Sequence, residues 1–256
     1  MFFDTHCHLD DPRLSRLLPG LLSQAEAAGV TGFLVPGLHP AGWPGISGLA
    51  RFSPRILPAF GIHPRHAELA TPATLSELRR LSRGAAAIGE IGLDYALAAP
   101  CRELQKLAFR AQLRIAAEAA LPVLLHCRKA FADLLTILSE EGIARNGGVM
   151  HAFSGSPETA RECLGLGLHI SLAGTITYQN AVRPPQVAAT VPLERLLLET
   201  DAPDLAPEPH RGGVNLPAYL ALTARRVAQI RGTTLEELAR ATTANAERLF
   251  SHSGRP

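Results

Sequence analysis

The sequence predicts an α/β fold, and within that class a (β/α)8 TIM barrel. Its 256 residues match the usual size of such a barrel as one domain. Short apolar runs alternate eight times with longer amphipathic segments, as strands and helices do in this fold. A doubly wound parallel sheet is the competing architecture, because the alternation alone fits both. Neither a repeat nor a linker divides the chain, so residues 1–256 are predicted to form a single domain.

The first half of the chain supplies four strand–helix units. The first strand is predicted over Phe2–His8, where an apolar start leads into polar residues. The helix after it, over Leu14–Ala28, follows the start signal Pro12 and stops at Gly29. The other predicted strands of this half are Val30–Pro36, Arg55–Ile62 and Ala85–Ile91, and the other helices are Pro44–Phe52, Leu75–Arg83 and Arg102–Ala120. The last of these helices carries apolar residues on one face at helical spacing.

The second half continues the same alternation. Its predicted strands are Val123–Cys127, Gly148–Phe153, Leu168–Ala173 and Leu196–Asp201, and its helices are Phe131–Glu141, Pro157–Leu166, Val182–Thr190, Leu216–Ile230 and Leu235–Phe250. The proline-rich run Ala202–Pro209 is predicted to be a loop after the eighth strand. No GxGxxG follows the first strand and no GxxxxGK[ST] occurs, which removes the usual dinucleotide and P-loop functions.

The composition excludes several classes of protein. With 46% hydrophobic and 19% charged residues, the chain is not of the disordered class. A net charge of +2 is not that of a protein that coats nucleic acid electrostatically. Four cysteines without a CxxC pair favour free thiols in a reducing compartment. No signal-peptide pattern and no run of about 18 apolar residues occurs, so we expect a cytoplasmic protein with neither a membrane partner nor an obligate protein partner.

Two histidines, His6 and His8, stand two residues apart in the first predicted strand. Because side chains alternate across a strand, both are expected to point into the barrel, with Asp4 one layer deeper and Cys7 facing the helices. Neutral imidazoles bind Zn²⁺ and similar ions, so the pair is a candidate metal site. Two hydrogen-bonded polar groups near the surface are the structural alternative.

Four more candidate ligands stand at the ends of other predicted strands, and these are Glu90, His126, His151 and Asp201. They end the fourth, fifth, sixth and eighth strands. Barrel active sites lie at this carboxyl end of the strands. Any one of the four would equally suit a hydrogen-bonded polar group of the core. Together with the two histidines of the first strand, they predict a metal centre.

Six ligands exceed the three or four that one Zn²⁺ usually takes, and they suit two divalent ions roughly 3.5–4 Å apart. Glu90 is the predicted bridge, because one carboxylate can give an oxygen to each ion. The two sites would then consist of His6, His8 and Asp201 on one side and of His126 and His151 on the other. Two divalent ions and two carboxylates leave a positive charge that attracts an anion such as a phosphodiester. The metal stays open among Zn²⁺, Mg²⁺ and Mn²⁺.

Several motifs resemble those of the TatD family of metal-dependent hydrolases. They are DTHCHLD, GIHP, GEIGLDY, LHCR, HAFSGS, GTITY, LLLETDAPDLAP and the stretch Pro207–Pro217, and the ending TTANAERLF is similar too. The resemblance implies a TIM barrel of the metal-dependent hydrolase (amidohydrolase) type with a divalent-metal centre. It also implies deoxyribonuclease activity, usually 3′-to-5′ exonucleolytic. Carried over residue by residue, it implies the metal ligands His6, His8, Glu90, His126, His151 and Asp201.

The predicted reaction is hydrolysis by a metal-activated water, with Asp201 as both ligand and general base. His63, in GIHP, is a candidate for binding the substrate phosphate or donating a proton. A loop or cap residue is the structural alternative for this histidine.

Substrate-binding candidates lie further along the chain. Arg128 shares the strand parity of a predicted ligand, and Arg211 lies in the loop after the eighth strand, where barrels often bind phosphate. Asp204 is a further candidate for this substrate-binding region, and it is also a candidate for holding a ligating histidine in one tautomer. Glu199 has the parity of Asp201 and is expected to serve deeper in the barrel. An exposed arginine or a structural carboxylate is the alternative in each case.

The predicted substrates are DNA ends or short single-stranded oligonucleotides. The low net charge and 5% aromatic content favour small or terminal substrates over long duplex tracts. A metallohydrolase that cleaves another bond, such as an aminoacyl-tRNA ester, an amide or a lactone, is the first alternative. A binding protein without catalysis is the second, although it would not require the complete set of ligands. No GxSxG occurs to support a serine hydrolase.

Overall fold

The computed structural model describes residues 1–142 and 147–250. Eight parallel strands are hydrogen-bonded to one another in chain order. They are β1 (Phe2–Asp4), β2 (Val30–Pro36), β3 (Ile56–Phe60), β4 (Ala87–Asp94), β5 (Val123–Arg128), β6 (Gly148–Met150), β7 (Leu168–Leu172) and β8 (Leu196–Leu198). A doubly wound sheet would reverse its strand order at one point, and this sheet does not. The predicted TIM barrel is therefore confirmed.

The barrel closes where the segment after β1 meets the segment after β8. The Thr5 amide donates to the carbonyl oxygen of Leu198 at 3.1 Å, and the Asp201 amide donates to that of His6 at 2.8 Å. Cys7 and Ala202 form an isolated parallel bridge. These bonds hold the His6 segment directly against the Asp201 segment, although the two are nearly 200 residues apart in the chain.

Helices surround the sheet, and they are α1 (Pro12–Ser15), α2 (Leu18–Ala27), α3 (Trp43–Phe52), α4 (Pro72–Ser82), α5 (Arg102–Glu118), α6 (Phe131–Glu141), α7 (Pro157–Gly165), α8 (Arg183–Thr190), α9 (Leu220–Arg231) and α10 (Leu235–Phe250). The prediction of a single helix over Leu14–Ala28 is wrong, because this part of the chain belongs to α1 and α2. It is two helices, because Pro19 has no amide hydrogen and stands in the first turn of α2. Within the described part of the chain, no helix is both long enough and apolar enough to cross a membrane.

An apolar layer fills the lower part of the barrel. It is built from one or two residues of most strands, among them Leu34, Ala59, Leu124, Val149 and Leu197. Phe250 of α10 joins this layer and stacks on Phe3, with 6.1 Å between the ring centroids. The floor of the barrel is therefore closed, and the carboxyl ends of the strands lie above this apolar layer.

Five strands end earlier than predicted, and three of them do so by three or four residues. The first was expected to reach His8, the sixth Phe153 and the eighth Asp201, but they end at Asp4, Met150 and Leu198. The chain turns sharply after two of them, since Ala152 has a φ of 41° and Asp201 a φ of 56°. Four of the predicted ligands thus lie in the first residues beyond a strand.

Candidate metal centre

The six predicted ligands meet around one carboxylate, that of Glu90 at the middle of β4. A first group of donor atoms surrounds its Oε2 atom. The Nε2 atoms of His6 and His8 lie 3.2 and 4.0 Å from this oxygen and 3.3 Å from each other. Asp201 Oδ1 lies 3.6 Å from Nε2 of His6 and 3.5 Å from Nε2 of His8. This is the first of the two ligand sets predicted from the sequence.

A second group surrounds the other oxygen of the same carboxylate, Glu90 Oε1. His126 Nδ1 lies 2.8 Å and His151 Nε2 lies 3.0 Å from this oxygen, and the two nitrogens are 3.3 Å apart. Glu90 therefore presents one oxygen to each group. The structure brings together the ligands as the sequence pattern paired them.

The donor atoms of the first group are spaced as metal ligands are. In a tetrahedral site with bonds of about 2.0–2.1 Å, neighbouring ligand atoms lie about 3.4 Å apart. His6 Nε2 has three acceptor or donor atoms within 3.6 Å, and a single N–H cannot serve all of them. Its other ring nitrogen, Nδ1, is buried without a partner in the described chain. A cation on Nε2 would resolve the crowding, so the residues present fit a metal.

Both carboxylates of the centre are held ionised. Burial alone would raise the pKa of Glu90, but the neighbouring His151 and His6 hold this pKa well below its usual range. Burial likewise opposes the ionisation of Asp201, but its hydrogen bond to His8 and the neighbouring His151 and His6 together lower its pKa. Two buried negative charges next to imidazole nitrogens are what a divalent cation requires.

Two further carboxylates orient the histidines of the second group. His126 Nε2 lies 3.4 Å from Asp94 Oδ2, and His151 Nδ1 lies 3.2 Å from Glu199 Oε1. Each ring thus has one nitrogen toward Glu90 and the other toward a carboxylate, as metal-bound histidines usually do. The role expected of Glu199 deeper in the barrel agrees with this contact. Sequence reasoning missed Asp94, although it lies four residues after Glu90 in one strand and so has the same parity.

A third buried carboxylate, Asp4, ties the two ends of the barrel together one layer below the centre. Its Oδ2 atom accepts from the Thr200 hydroxyl at 2.6 Å, and its Oδ1 atom accepts from the Thr200 amide at 2.9 Å. Burial raises the pKa of Asp4 to about 7. The inward direction predicted for Asp4 is wrong, because its neighbour Phe3 packs in the apolar layer inside the barrel and successive side chains alternate across a strand. Its contacts with Thr200 fix the backbone beside Asp201.

His63 lies against the second group but is not arranged as a ligand. Its Nε2 atom is 3.6 Å from Glu90 Oε1, close enough to complete a ligand cluster with His126. Its Nδ1 atom, however, accepts a hydrogen bond from the Arg65 amide at 3.0 Å. Burial lowers the pKa of His63 to about 3, so the ring is neutral and its single proton must be on Nε2. His63 therefore presents a hydrogen-bond donor to the centre.

Two buried glutamines of α5 fix the backbone beside the site, and the sequence analysis did not identify them. The side-chain amide of Gln112 accepts from the Ile62 amide at 2.7 Å and donates to the Ile62 carbonyl at 3.1 Å. Gln105 does the same for Asp94, at 2.8 and 3.1 Å. Both residues interrupt the apolar face of an amphipathic helix, which is the signal that could have found them.

Two cavities open on the centre, and His126, His151 and Asp201 line both of them. One, of about 430 Å³, lies on the side of β1 to β3, and the other, of about 690 Å³, lies on the side of β5 to β8. Arg128 lines the larger cavity. The Arg211 guanidinium stacks on the ring of Tyr178, which lines the same cavity, at 4.1 Å from the ring centroid.

Asp204 has a different contact from the one expected. Its carboxylate lies at the rim of the smaller cavity and accepts from Arg13 at 3.0 Å. The side chain is 62% exposed. Asp204 therefore does not hold a ligating histidine in one tautomer, because the loop carries its carboxylate outward to the arginine of α1.

The sequence model of one family, described as "TatD related DNase", matches residues 3–251 of the chain. The chain belongs to the TatD family. The family resemblance inferred from the motifs is thereby confirmed. The match extends over nearly the whole barrel and includes every residue of both donor groups.

Similar proteins are found in several bacteria. The chain is 39% identical to the "Uncharacterized metal-dependent hydrolase YabD" of Bacillus subtilis (strain 168), over 98% of this chain and 99% of that protein. It is 38% identical to the "Uncharacterized metal-dependent hydrolase YcfH" of Escherichia coli (strain K12), over 96% and 94% of the two chains. The crystal structure of YjjV, a TatD homologue from Escherichia coli K12, superposes with a TM-score of 0.93 at 35% identity over 98% of each chain. The chain is a metal-dependent hydrolase of the TatD family.

Proposed function

We propose that this hydrolase binds two divalent ions and removes nucleotides from the 3′ ends of DNA. The placement of Glu90 carries the proposal, because its two oxygens serve two separate groups of donor atoms. A phosphodiester is the substrate class that a positively charged two-ion centre suits best. The description of the matching family as a DNase supports the choice of DNA.

The chain's own residues supply the remaining parts of a hydrolytic site. A pair of bound cations would lower the pKa of water and stabilise negative charge on phosphoryl oxygens. Asp201 Oδ1 faces both histidines of the first group and is placed to accept a proton from the attacking water. The Nε2–H group of His63 points at the second group and is placed to donate to a phosphoryl oxygen or to the leaving group.

The surroundings of the centre suit the end of a strand better than a duplex. Arg128 and the Arg211–Tyr178 stack lie on the side of the larger cavity, where a cation and an aromatic face can hold one nucleotide. A duplex would need many phosphate contacts, and the net charge of the chain is only +2. DNA ends and short single-stranded oligonucleotides are therefore the proposed substrates, and location in the cytoplasm stays a prediction.

Product analysis on matched oligonucleotides tests the proposal. A single-stranded oligonucleotide with a free 3′ end and the same strand with a blocked 3′ end are incubated with metal-stripped enzyme resupplied with Mg²⁺, Mn²⁺ or Zn²⁺. We expect mononucleotides from the free strand alone, and only when a metal is present. Glu90→Ala should abolish the release, because it removes an oxygen from both donor groups at once.

A surface variant controls for the loss of a carboxylate as such. Glu158 on α7 is 66% exposed and forms its ion pair with Arg161, so Glu158→Gln should cleave like the parent chain. If protein shown to bind two ions cleaves no oligonucleotide with any metal, the proposed nuclease activity is refuted, whereas the proposed two-ion metal centre still stands. Ester, amide and lactone substrates would then be tested with the same variants.

A further inference from the structure

Two histidine–proline turns follow β2 and β3, and they share one design. In each, the histidine precedes a short 3₁₀ helix, Pro40–Gly42 or Pro64–Leu69. His39 Nδ1 accepts a hydrogen bond from the Ala41 amide at 3.0 Å, as His63 Nδ1 does from the Arg65 amide. Because Nδ1 accepts in both histidines, the proton of each ring is on Nε2. In each turn, the backbone hydrogen bond to Nδ1 therefore fixes the tautomer in which Nε2 is the donor.

The two turns are joined to each other beside the metal centre. The His63 amide donates to the Leu38 carbonyl at 3.0 Å. The ring of His39 packs edge-to-face on that of His66, with 4.8 Å between the centroids. Both rings line the smaller cavity, together with the exposed Arg65. His63 already faces Glu90, whereas His39, Arg65 and His66 have no part in the proposed reaction.

Arg65 gives this side of the cavity a positive charge, with Glu68 near His66 and Asp10 next to Gly42 as the carboxylates of the same side. No carboxylate forms an ion pair with Arg65 among residues 1–142 and 147–250. On the far side, Asp11 and Asp204 are both paired with Arg13, at 2.9 and 3.0 Å. The carboxylates of the cavity are thus partly neutralised, while the donors of the two turns are free to bind an anion.

We propose that His39, His66 and Arg65 form an anion subsite that binds a second phosphate of the substrate, next to the phosphate at the metal centre. This inference rests on the proposed function, in which the first phosphate binds at Glu90. The subsite makes the substrate a polyanion, namely a nucleotide chain or a nucleotide with an additional terminal phosphate. A neutral lactone or amide would leave these donors unused.

Phosphate titration tests the subsite without relying on catalysis. Inorganic phosphate is added to the zinc-loaded full chain labelled with ¹⁵N-histidine, and the ring signals are followed by NMR. We expect saturable shifts of the His39 and His66 signals and a markedly weaker response in Arg65→Gln. Arg51→Gln, which changes an arginine of α3 outside this cavity, is the matched control and should respond like the parent chain. Unmoved His39 and His66 signals would overturn the subsite.

Kinetics on paired dinucleotides test its role in substrate choice. His39→Asn keeps a side-chain oxygen to cap the turn but removes the ring N–H that reaches the cavity. We expect this variant to lose about tenfold to a hundredfold in kcat/KM on a thymidine dinucleotide that carries an additional terminal phosphate at one end. On the dinucleotide without that phosphate, the change should stay below about threefold.

The two proposals fail in different ways. Equal losses of kcat/KM on both dinucleotides, or no loss on either, would overturn the subsite while the nuclease stands. If the parent chain cleaves neither dinucleotide, the nuclease fails, and the phosphate titration still decides whether the anion subsite exists.

Discussion

Asp201 combines a charge at the centre with an unusual backbone conformation. Its φ of 56° lies in the left-handed region that few residues other than glycine, asparagine and aspartate adopt readily. Its amide also donates to the carbonyl of His6 across the closure of the barrel. Replacement by alanine would disturb both features, whereas asparagine tolerates the conformation and removes only the charge.

Asp201→Asn is therefore expected to fold like the parent chain and to lose catalysis. Loss of a general base should lower kcat on the free 3′ strand by about 10²–10⁴-fold, with a thermal midpoint within a few degrees of the parent value. Turnover and circular dichroism on the same preparation measure the two effects. Activity within about threefold of the parent chain would remove the proposed role of Asp201.

His169, in β7, gives stability a pH dependence that is independent of the metal centre. Burial, and after it the nearby Arg195, lowers the pKa of His169 to about 4, while the unfolded chain keeps a value of about 6.5. The folded state binds fewer protons between these values. The contribution to stability is therefore complete above about pH 6.5 and is lost as the pH falls toward 4.

This contribution is measured by comparing the free energy of unfolding at pH 7 with that at pH 5. Metal-free protein should lose about 2 kcal/mol of unfolding free energy through His169 over this interval. His169→Gln, which keeps a side-chain donor, should lose correspondingly less between the two pH values in urea titrations. An equal loss in both proteins would show that other groups cause the acid sensitivity.

At the scale of elements, two glutamines of α5 hold the carboxyl ends of β3 and β4 in place through hydrogen bonds to their backbone. Gln112 is 1% exposed and satisfies both backbone groups of Ile62, the residue before His63. Gln112→Met keeps the volume but leaves a buried N–H and a buried C=O without partners. We expect a loss of about 2–5 kcal/mol of stability and a further fall in kcat/KM, because His63 loses its support.

A glutamine elsewhere on the surface supplies the control for this substitution. Gln229 on α9 is exposed, so Gln229→Met should leave both quantities unchanged. Chemical unfolding and turnover measure them. If Gln112→Met is as stable as the control, the two hydrogen bonds do not position the strand end.

Strand parity and position at the strand ends were enough to predict which six side chains meet, but not the geometry beyond the strands. Glu90 and Asp94 both lie inside β4, so parity correctly assigns one and could have assigned the other. His151 and Asp201 lie past the ends of short strands, where turns with positive φ set the direction. Asp204 pairs with Arg13, 191 residues away in sequence, and no local pattern encodes such a contact. The helices and strands could be predicted from hydrophobic periodicity, whereas the contacts between loops could not, because they depend on the closure of the barrel.

At the scale of the whole molecule, the metal centre connects strands from both halves of the barrel. The six candidate ligands come from segments at β1, β4, β5, β6 and β8, so bound ions would link distant parts of the chain. An ion present at 100 times its Kd adds about 2.7 kcal/mol. We expect chelation to lower Tm by about 5–10 °C per ion.

The effect of chelation should itself depend on pH. Histidine ligands must lose their protons to bind a metal, so the difference in Tm between metal-loaded and stripped protein should shrink as the pH falls below about 6. Differential scanning calorimetry with and without a chelator measures it. A difference that stays constant to pH 5 would mean that imidazoles do not hold the ions.

The central claim is that one carboxylate, Glu90, joins two metal sites. Electron paramagnetic resonance of the protein titrated with Mn²⁺ tests it most directly, since two ions bridged by a carboxylate are spin-coupled. We predict two Mn²⁺ per chain with a coupled spectrum, and loss of the coupling in Glu90→Ala but not in Glu158→Gln. A simple six-line spectrum at saturation, from one isolated ion per chain, would contradict the account.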